Sequence, residues 1–188
     1  SWVCPAGLEE RRFFVLGVSD KHQQDHAYFK AIVAQMENGG LEAMLHDLLE
    51  MDISQHNLRE FEQTSGLFEQ KLYSMDTVQK YWFERLREGN LRPYRLNSND
   101  SEPGWNYEVP TVDQYEDYLE FARSINDRYP STETQLGIEL NKLCSGIKKD
   151  RHRLPGGGSL HSRRFPPLDE CRAEFESLVK TGIDWEES

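Results

Sequence analysis

The stretch STETQLGIELNKLCSGIKKDRHRLPGGGSLHSRRFPP, Ser131 to Pro167, decides how the rest of the chain is read. It opens on a helix start, because Thr132 and Gln135 can satisfy each other's backbone in a reciprocal capping box. Leu136, Leu140, Leu143 and Ile147 then recur at helical spacing and predict one buried stripe. A run of cations follows. Lys148, Lys149, Arg151, Arg153, Arg163 and Arg164 face a single acid, Asp150, so residues 148–164 carry a local charge of about +5. Gly156, Gly157 and Gly158 supply a turn, and their flanks are able to pair as a short hairpin. Pro166 and Pro167 open a further helix, with Leu168, Cys171, Phe175 and Leu178 inward. Helix, capped helix, basic hairpin, helix is the order of a winged-helix variant. In such a module one helix enters the major groove and a basic hairpin lies on the backbone or in the minor groove, so DNA is the expected partner of residues 148–164. Glu133 and Glu139 argue the other way, since on the polar face of the capped helix they would repel phosphates. The competing readings of the basic run are a solvated loop and a surface that meets protein rather than DNA.

The whole chain has 188 residues and a net charge of −11. That acidity does not exclude a phosphate-binding loop, because the Debye length is about 8 Å at physiological salt and distant carboxylates are screened. A chain of this length forms one large domain or two small ones and buries roughly 70% of its unfolded surface. No apolar run approaches the ~18 residues of a membrane span, and the first residues lack the basic-then-apolar layout of a signal peptide. No membrane partner and a cytoplasmic location are expected. Cys4, Cys144 and Cys171 are odd in number and lack Cys-x-x-Cys spacing, which predicts reduced thiols.

Toward the N-terminus, Phe13-Phe14-Val15-Leu16 reads as a buried strand entered through Arg11 and Arg12. Ser19 or Asp20 is placed to cap a helix carrying Tyr28, Phe29, Ile32, Val33 and Met36 on one face, and Gly39-Gly40 ends it. A second helix follows with Leu41, Met44, Leu45, Leu48 and Leu49 inward, making a helical hairpin. Leu67, Phe68 and Leu72, then Val78, Tyr81, Trp82 and Leu86 behind the cap Asp76, predict further helix to Gly89. Residues 90–110 show no period and read as a long loop or interdomain connection. From Thr111 a helix resumes with Val112, Tyr115, Leu119 and Ile125 on one face. The expected fold is therefore mainly α. A helical subdomain with a short N-terminal β-strand fills 1–95, a linker 96–107, and a winged-helix-like module 108–188.

Enzymatic signatures are sparse. His22 and His26 stand at i and i+4, a spacing that suits one metal on a helix face, with surface histidines at a first turn as the plainer reading. The sequence holds no nucleophile elbow, P-loop or dinucleotide-binding glycine pattern. The exposed arginine pair has a chemical use in ring ATPases, where a guanidinium from one subunit reaches the γ-phosphate held by its neighbour. Its plainer reading is a set of surface pairs with Glu9 and Glu10.

The phrases WVCPAGLEERRFFVLGVSD, DHAYFKAIVAQMENGGLEAMLHDLLEMDIS, EQKLYSMDTVQKYWFERL and RFPPLDECRAEF, followed by GIDW, occur in that order. Together the sequence resembles the C-terminal part of phage and prophage primase–helicase proteins. These carry a superfamily 3 helicase domain of the ring-forming AAA+ type, often behind a primase-polymerase. The resemblance implies that residues 2–18 close an ATPase core, with Arg11 or Arg12 in the place of the arginine finger. It also implies a homo-oligomeric ring, and ATP with Mg as cofactors of the parent protein. The Walker A lysine, the Walker B acids and the sensor Asn have no counterpart here. The chain is expected to begin after them and to need no cofactor of its own.

Overall fold

The computed structural model describes residues 4–10, 12–54, 57, 64–91, 105, 108–153 and 158–185. Helices dominate, and one small antiparallel sheet joins them. Helix α1 (His26–Gln35) and helix α2 (Leu41–Glu50) are separated by a π-type turn, Met36–Gly40, in which Asn38 and Gly39 leave helical geometry. After these come α3 (Ser65–Ser74) and α4 (Thr77–Glu88), then strand β1 (Glu108–Pro110), α5 (Thr111–Ser124) and α6 (Glu133–Leu143). Strands β2 (Lys148–Arg153) and β3 (Ser159–Arg164) form the hairpin, and α7 (Leu168–Val179) closes the fold.

The local chemistry of α4 and α6 explains their boundaries. Asp76 and Gln79 make a full capping box at the start of α4, and Thr132 and Gln135 make the one expected on α6. Gly89 ends α4 in the left-handed region at φ 61°, where an L side chain would be strained. The amphipathic faces of α4, α6 and α7 then meet. Val78, Tyr81, Trp82 and Leu86 share one cluster with Leu136, Leu140, Leu143, Ile147, Phe165, Cys171 and Phe175. Trp82 sits at its centre with no exposed surface, stacked on Phe165 and tilted against Trp105.

Polar clamps tie this core together. Helix α7 holds the end of α4 through the Arg172 guanidinium, which donates to the Leu86 carbonyl at 2.9 and 3.0 Å and to that of Arg87 at 3.3 Å. In return, the Lys71 ammonium of α3 donates to the carbonyl of Val179 at 2.6 Å, satisfying the end of α7. Burial, with Lys180 nearby, pushes the Lys71 pKa below its ordinary value. Between α4 and α5, Arg85 and Asp117 form an ion pair at 3.2 Å with both side chains buried.

Several expectations are corrected. Phe13–Val18 belong to no strand, and Phe14 and Val18 are exposed. Hydrogen bonds from the Cys4 and Ala6 amides to Gln70 and Ser74 anchor the chain to α3 before that segment, and within it Val15 lies against Gly66 of the same helix without forming a strand. The cap of α1 is Asp25, whose carboxylate accepts from the Tyr28 amide, rather than Ser19 or Asp20. Neither α1 nor α2 buries a residue, so the inward faces expected of a helical hairpin point outward. On α5 the buried face is Gln114, Asp117, Tyr118, Phe121 and Ala122; of the expected face, Tyr115 and Leu119 are partly buried against the core while Val112 and Ile125 are exposed. The face is rotated because Arg85 and Arg163 draw Asp117 and Gln114 inward. Residues 108–110 form a strand inside what reads as loop. Finally, one cluster runs from Met75 to Val179, so the two sides of the expected linker at 96–107 share a core.

Candidate nucleic-acid interface

The sheet runs β1-β3-β2, antiparallel throughout. Because β2 is an edge strand, one row of its backbone groups lies outside the ladder, and charged residues there discourage edge-to-edge pairing. Register sorts the cations onto two faces. Lys148, Asp150 and His152 lie opposite Arg164, Ser162 and Leu160, while Lys149, Arg151 and Arg153 lie opposite Arg163, His161 and Ser159.

The first face is largely neutralised. Arg164 pairs with Asp150 at 2.9 Å and with Glu108 of β1 at 3.6 Å. Glu108 also accepts from the Ser162 hydroxyl and meets His152, both at 2.6 Å. The hydrogen bonds from Ser162 and His152 hold the Glu108 carboxyl below its ordinary pKa. Glu108 is a site residue that sequence reasoning missed. Its neighbours in the chain are uninformative, and only the pairing of β1 with β3 carries it across 54 residues to Ser162.

Strand alternation keeps Lys149, Arg151 and Arg153 on the second face, and all three are exposed. With Lys148 they have no carboxylate partner among the described residues. Alternate residues of a strand lie about 6.7 Å apart, roughly twice the ~3.4 Å axial rise per phosphate of one DNA strand. This row is the part of the basic segment that is available to an anionic backbone.

Arg163 is a correction to the expected set. Its side chain is buried beneath α6, where its guanidinium donates to Gln114. Burial pushes its pKa down, with Glu133 opposing that shift. A Cβ on Gly137 would lie 2.6 Å from Arg163 Nη2, so the glycine makes room for the guanidinium within the helix. Arg163 therefore fastens the sheet to α5 and α6. Beside it, a groove of about 360 Å³ is lined by Thr111, Glu133, Gly137, Lys149 and His161.

Helix α6 directs Leu136, Leu140 and Leu143 into the core and leaves Glu133, Thr134, Gln135, Ile138 and Lys142 exposed. The Lys142 ammonium pairs with Glu139 at 2.7 Å, which removes the one cation of this face from phosphate binding. Of the hairpin tip, Gly156 and Gly157 lie outside the described residues, while Gly158 adopts φ 105°.

The N-terminal candidates are not brought into a site. Arg11 lies outside the described residues. Arg12 is exposed and borders an open cleft with Glu9, Glu10 and Gln79. Two carboxylates in that cleft oppose a triphosphate bound within it, so the cleft itself is not assigned as a nucleotide site and no hydrolytic step is placed there. His22 stacks on Tyr28 at 3.8 Å and meets the capping Asp25 at 3.2 Å, while His26 begins α1. Among the described residues, no three His, Cys, Asp or Glu side chains gather as a metal would require. Cys144 and Cys171 are buried thiols with sulfurs 3.7 Å apart, and Cys4 is a half-buried thiol. No described helix is long and apolar enough to cross a membrane. Compared with family models, curated proteins and solved structures, the chain matches none of them.

Proposed function

We propose that this chain is the non-catalytic, C-terminal part of a phage-type DNA replication helicase or primase–helicase, and that the β2–β3 hairpin contacts DNA. The observation that carries the DNA contact is the exposed row Lys149, Arg151 and Arg153, without carboxylate partners on an edge strand, with Lys148 exposed on the opposite face of the same strand. The element order α4, β1, α5, α6, β2, β3, with β1 paired to β3, supports a winged-helix reading in which that hairpin is the wing. The acidic exposed face of α6 favours contact through the hairpin over base reading by the helix. Membership of a replicative ring, a cytoplasmic location and an arginine finger at Arg11 or Arg12 rest on the sequence resemblance alone. ATP and Mg belong, in this reading, to the parent protein's core.

Fluorescence anisotropy with a labelled duplex and a labelled single strand tests the proposal. Three phosphate contacts from that row predict that log affinity falls with log salt at a slope of roughly −2 to −3 on duplex. Replacing Lys148, Lys149, Arg151 and Arg153 together with Ala should abolish binding while leaving the circular dichroism spectrum unchanged. Absence of binding at low salt would overturn the proposal. It would favour a module that docks onto another replication protein without touching DNA, the reading that Glu133 and Glu139 support.

A further inference from the structure

Two of the described arginines are buried, and only one of them has its charge answered. Arg85 is 1% exposed and lies 3.2 Å from both Asp117 and Glu88. Arg163 is 4% exposed, yet no carboxylate among the described residues pairs with it. Its Nη1 donates to the Gln114 side-chain oxygen, while its Nε meets no acceptor. Nη2 lies against Gly137, where α6 carries no side chain. A lysine so placed sheds its proton readily, but a guanidinium stays charged at physiological pH. A buried charge without a partner is among the most costly features a fold can carry, so this one calls for an anion.

The space beside Arg163 offers further donors to such an anion. The groove of about 360 Å³ is lined by Arg163 of β3, Lys149 of β2, Thr134 of α6 and His161. At the first turn of α6 the Thr132 hydroxyl takes the Gln135 amide, and the amides of Glu133 and Thr134 keep no partner within the helix. That end of an eleven-residue helix also favours negative charge. Lys149 is exposed and has no carboxylate partner among the described residues. Two acids line the groove as well. Asp150 is already held by Arg164 at 2.9 Å. Glu133 is exposed and makes no ion pair among the described residues, so it steadies Arg163 only from a distance.

We infer that this groove is a phosphate-binding site, in which one phosphate group is held by Arg163, Lys149 and the first amides of α6. Donors that reach one groove from three elements suit a tetrahedral oxyanion, whereas a planar carboxylate needs the guanidinium fork alone. The carboxylate of Glu133 opposes a second phosphate beside the first. The site stands on the unpaired buried cation and does not depend on the DNA reading. A DNA backbone and a small phosphate ester present the same group, and Lys149 serves the hairpin row as well.

Heteronuclear NMR of the full 188-residue chain, titrated with inorganic phosphate and with sodium chloride at matched ionic strength, tests the site. Phosphate should move the Arg163 Nε–H resonance and the amides of Thr134, Gly137 and Lys149 along saturating curves, and chloride should not. Glu133→Gln, at an exposed position, should tighten phosphate binding by roughly 2- to 5-fold, and Lys149→Ala should weaken it by a similar factor, as single exposed charges do. Acetate should bind more weakly than phosphate. Equal shifts in phosphate and chloride would show a groove that holds only water, and overturn the inference. Acetate that saturates as tightly as phosphate, or a Glu133→Gln chain of unchanged affinity, overturns it too. A duplex that moves the same Arg163 resonance identifies the seated group as a backbone phosphate, while one that shifts the hairpin alone assigns the groove to a small phosphate compound. Phosphate binding without DNA binding overturns the proposed function only, and DNA binding with no saturable phosphate response overturns this inference only.

Discussion

Helix α2, with ten residues, and helix α4, with twelve, are both amphipathic, and both are flanked on one side by a turn rich in glycine and asparagine. Their fates are opposite. Helix α4 buries Val78, Tyr81, Trp82, Arg85 and Leu86, while α2 buries nothing. The difference lies outside both helices. The apolar face of α4 meets α6 and α7, whose own stripes cover it, and Arg172 and Lys71 stitch the ends. No described element covers the apolar stripe of α2. An amphipathic stripe therefore states that a face requires cover, and says nothing about what provides it.

The largest test of this contrast is a matched pair of truncations. Trp82→Ala removes a fully buried ring stacked on Phe165, and should lower stability by about 3–5 kcal/mol in a urea titration. Leu45→Ala, on the open face, should change it by less than about 0.5 kcal/mol. Equal losses at the two sites would show that α2 belongs to the cooperative core.

A smaller effect is expected at the joint between core and hairpin. In Gly137→Ala the new methyl meets the Arg163 guanidinium, and moving a buried cation off Gln114 should cost about 1–3 kcal/mol. If the DNA row and the core are separate in function, the residual folded protein should keep its salt slope on duplex. A slope that falls together with stability would make Arg163 part of the binding surface after all.

The smallest effect concerns pH. Glu108 has a depressed folded-state pKa, owing first to Ser162 and then to His152, so its contribution is present above the ordinary carboxylate value and is lost as pH falls through the folded value. Acid should accordingly loosen β1 from β3, read as lower amide protection factors in Arg163 and Arg164, and Glu108→Gln should flatten that dependence. Protection factors that ignore pH in both proteins would remove Glu108 from the account of the sheet.

The legible parts of this molecule share a feature. The caps Asp76 and Thr132, the stripe from Leu136 to Ile147, the hairpin of cations and the last helix are all set within about four residues of chain, by hydrogen bonds and side-chain periods that act locally. The basic segment was legible for the same reason, as a count of charges in a row. Its division was not, because six cations of equal appearance were sorted by strand alternation and by the register of β2 on β3. That sorting sent Arg163 inward to Gln114, gave Arg164 to Asp150 and Glu108, and left Lys148, Lys149, Arg151 and Arg153 outward.

What the amino-acid sequence determined by itself, then, was where α4, α6 and α7 begin, which faces of those helices are apolar, and where positive charge is dense. The tertiary structure alone decided which apolar faces find cover, which face of α5 turns inward, and which cations remain unpaired. The strand expected at Phe13–Leu16 failed on the same ground, since an apolar run becomes a strand only when another strand supplies its hydrogen bonds. Local interactions are written in adjacent residues, whereas burial and ion pairing join residues such as Glu108 and Ser162, or Arg85 and Asp117, that meet only after the chain has folded.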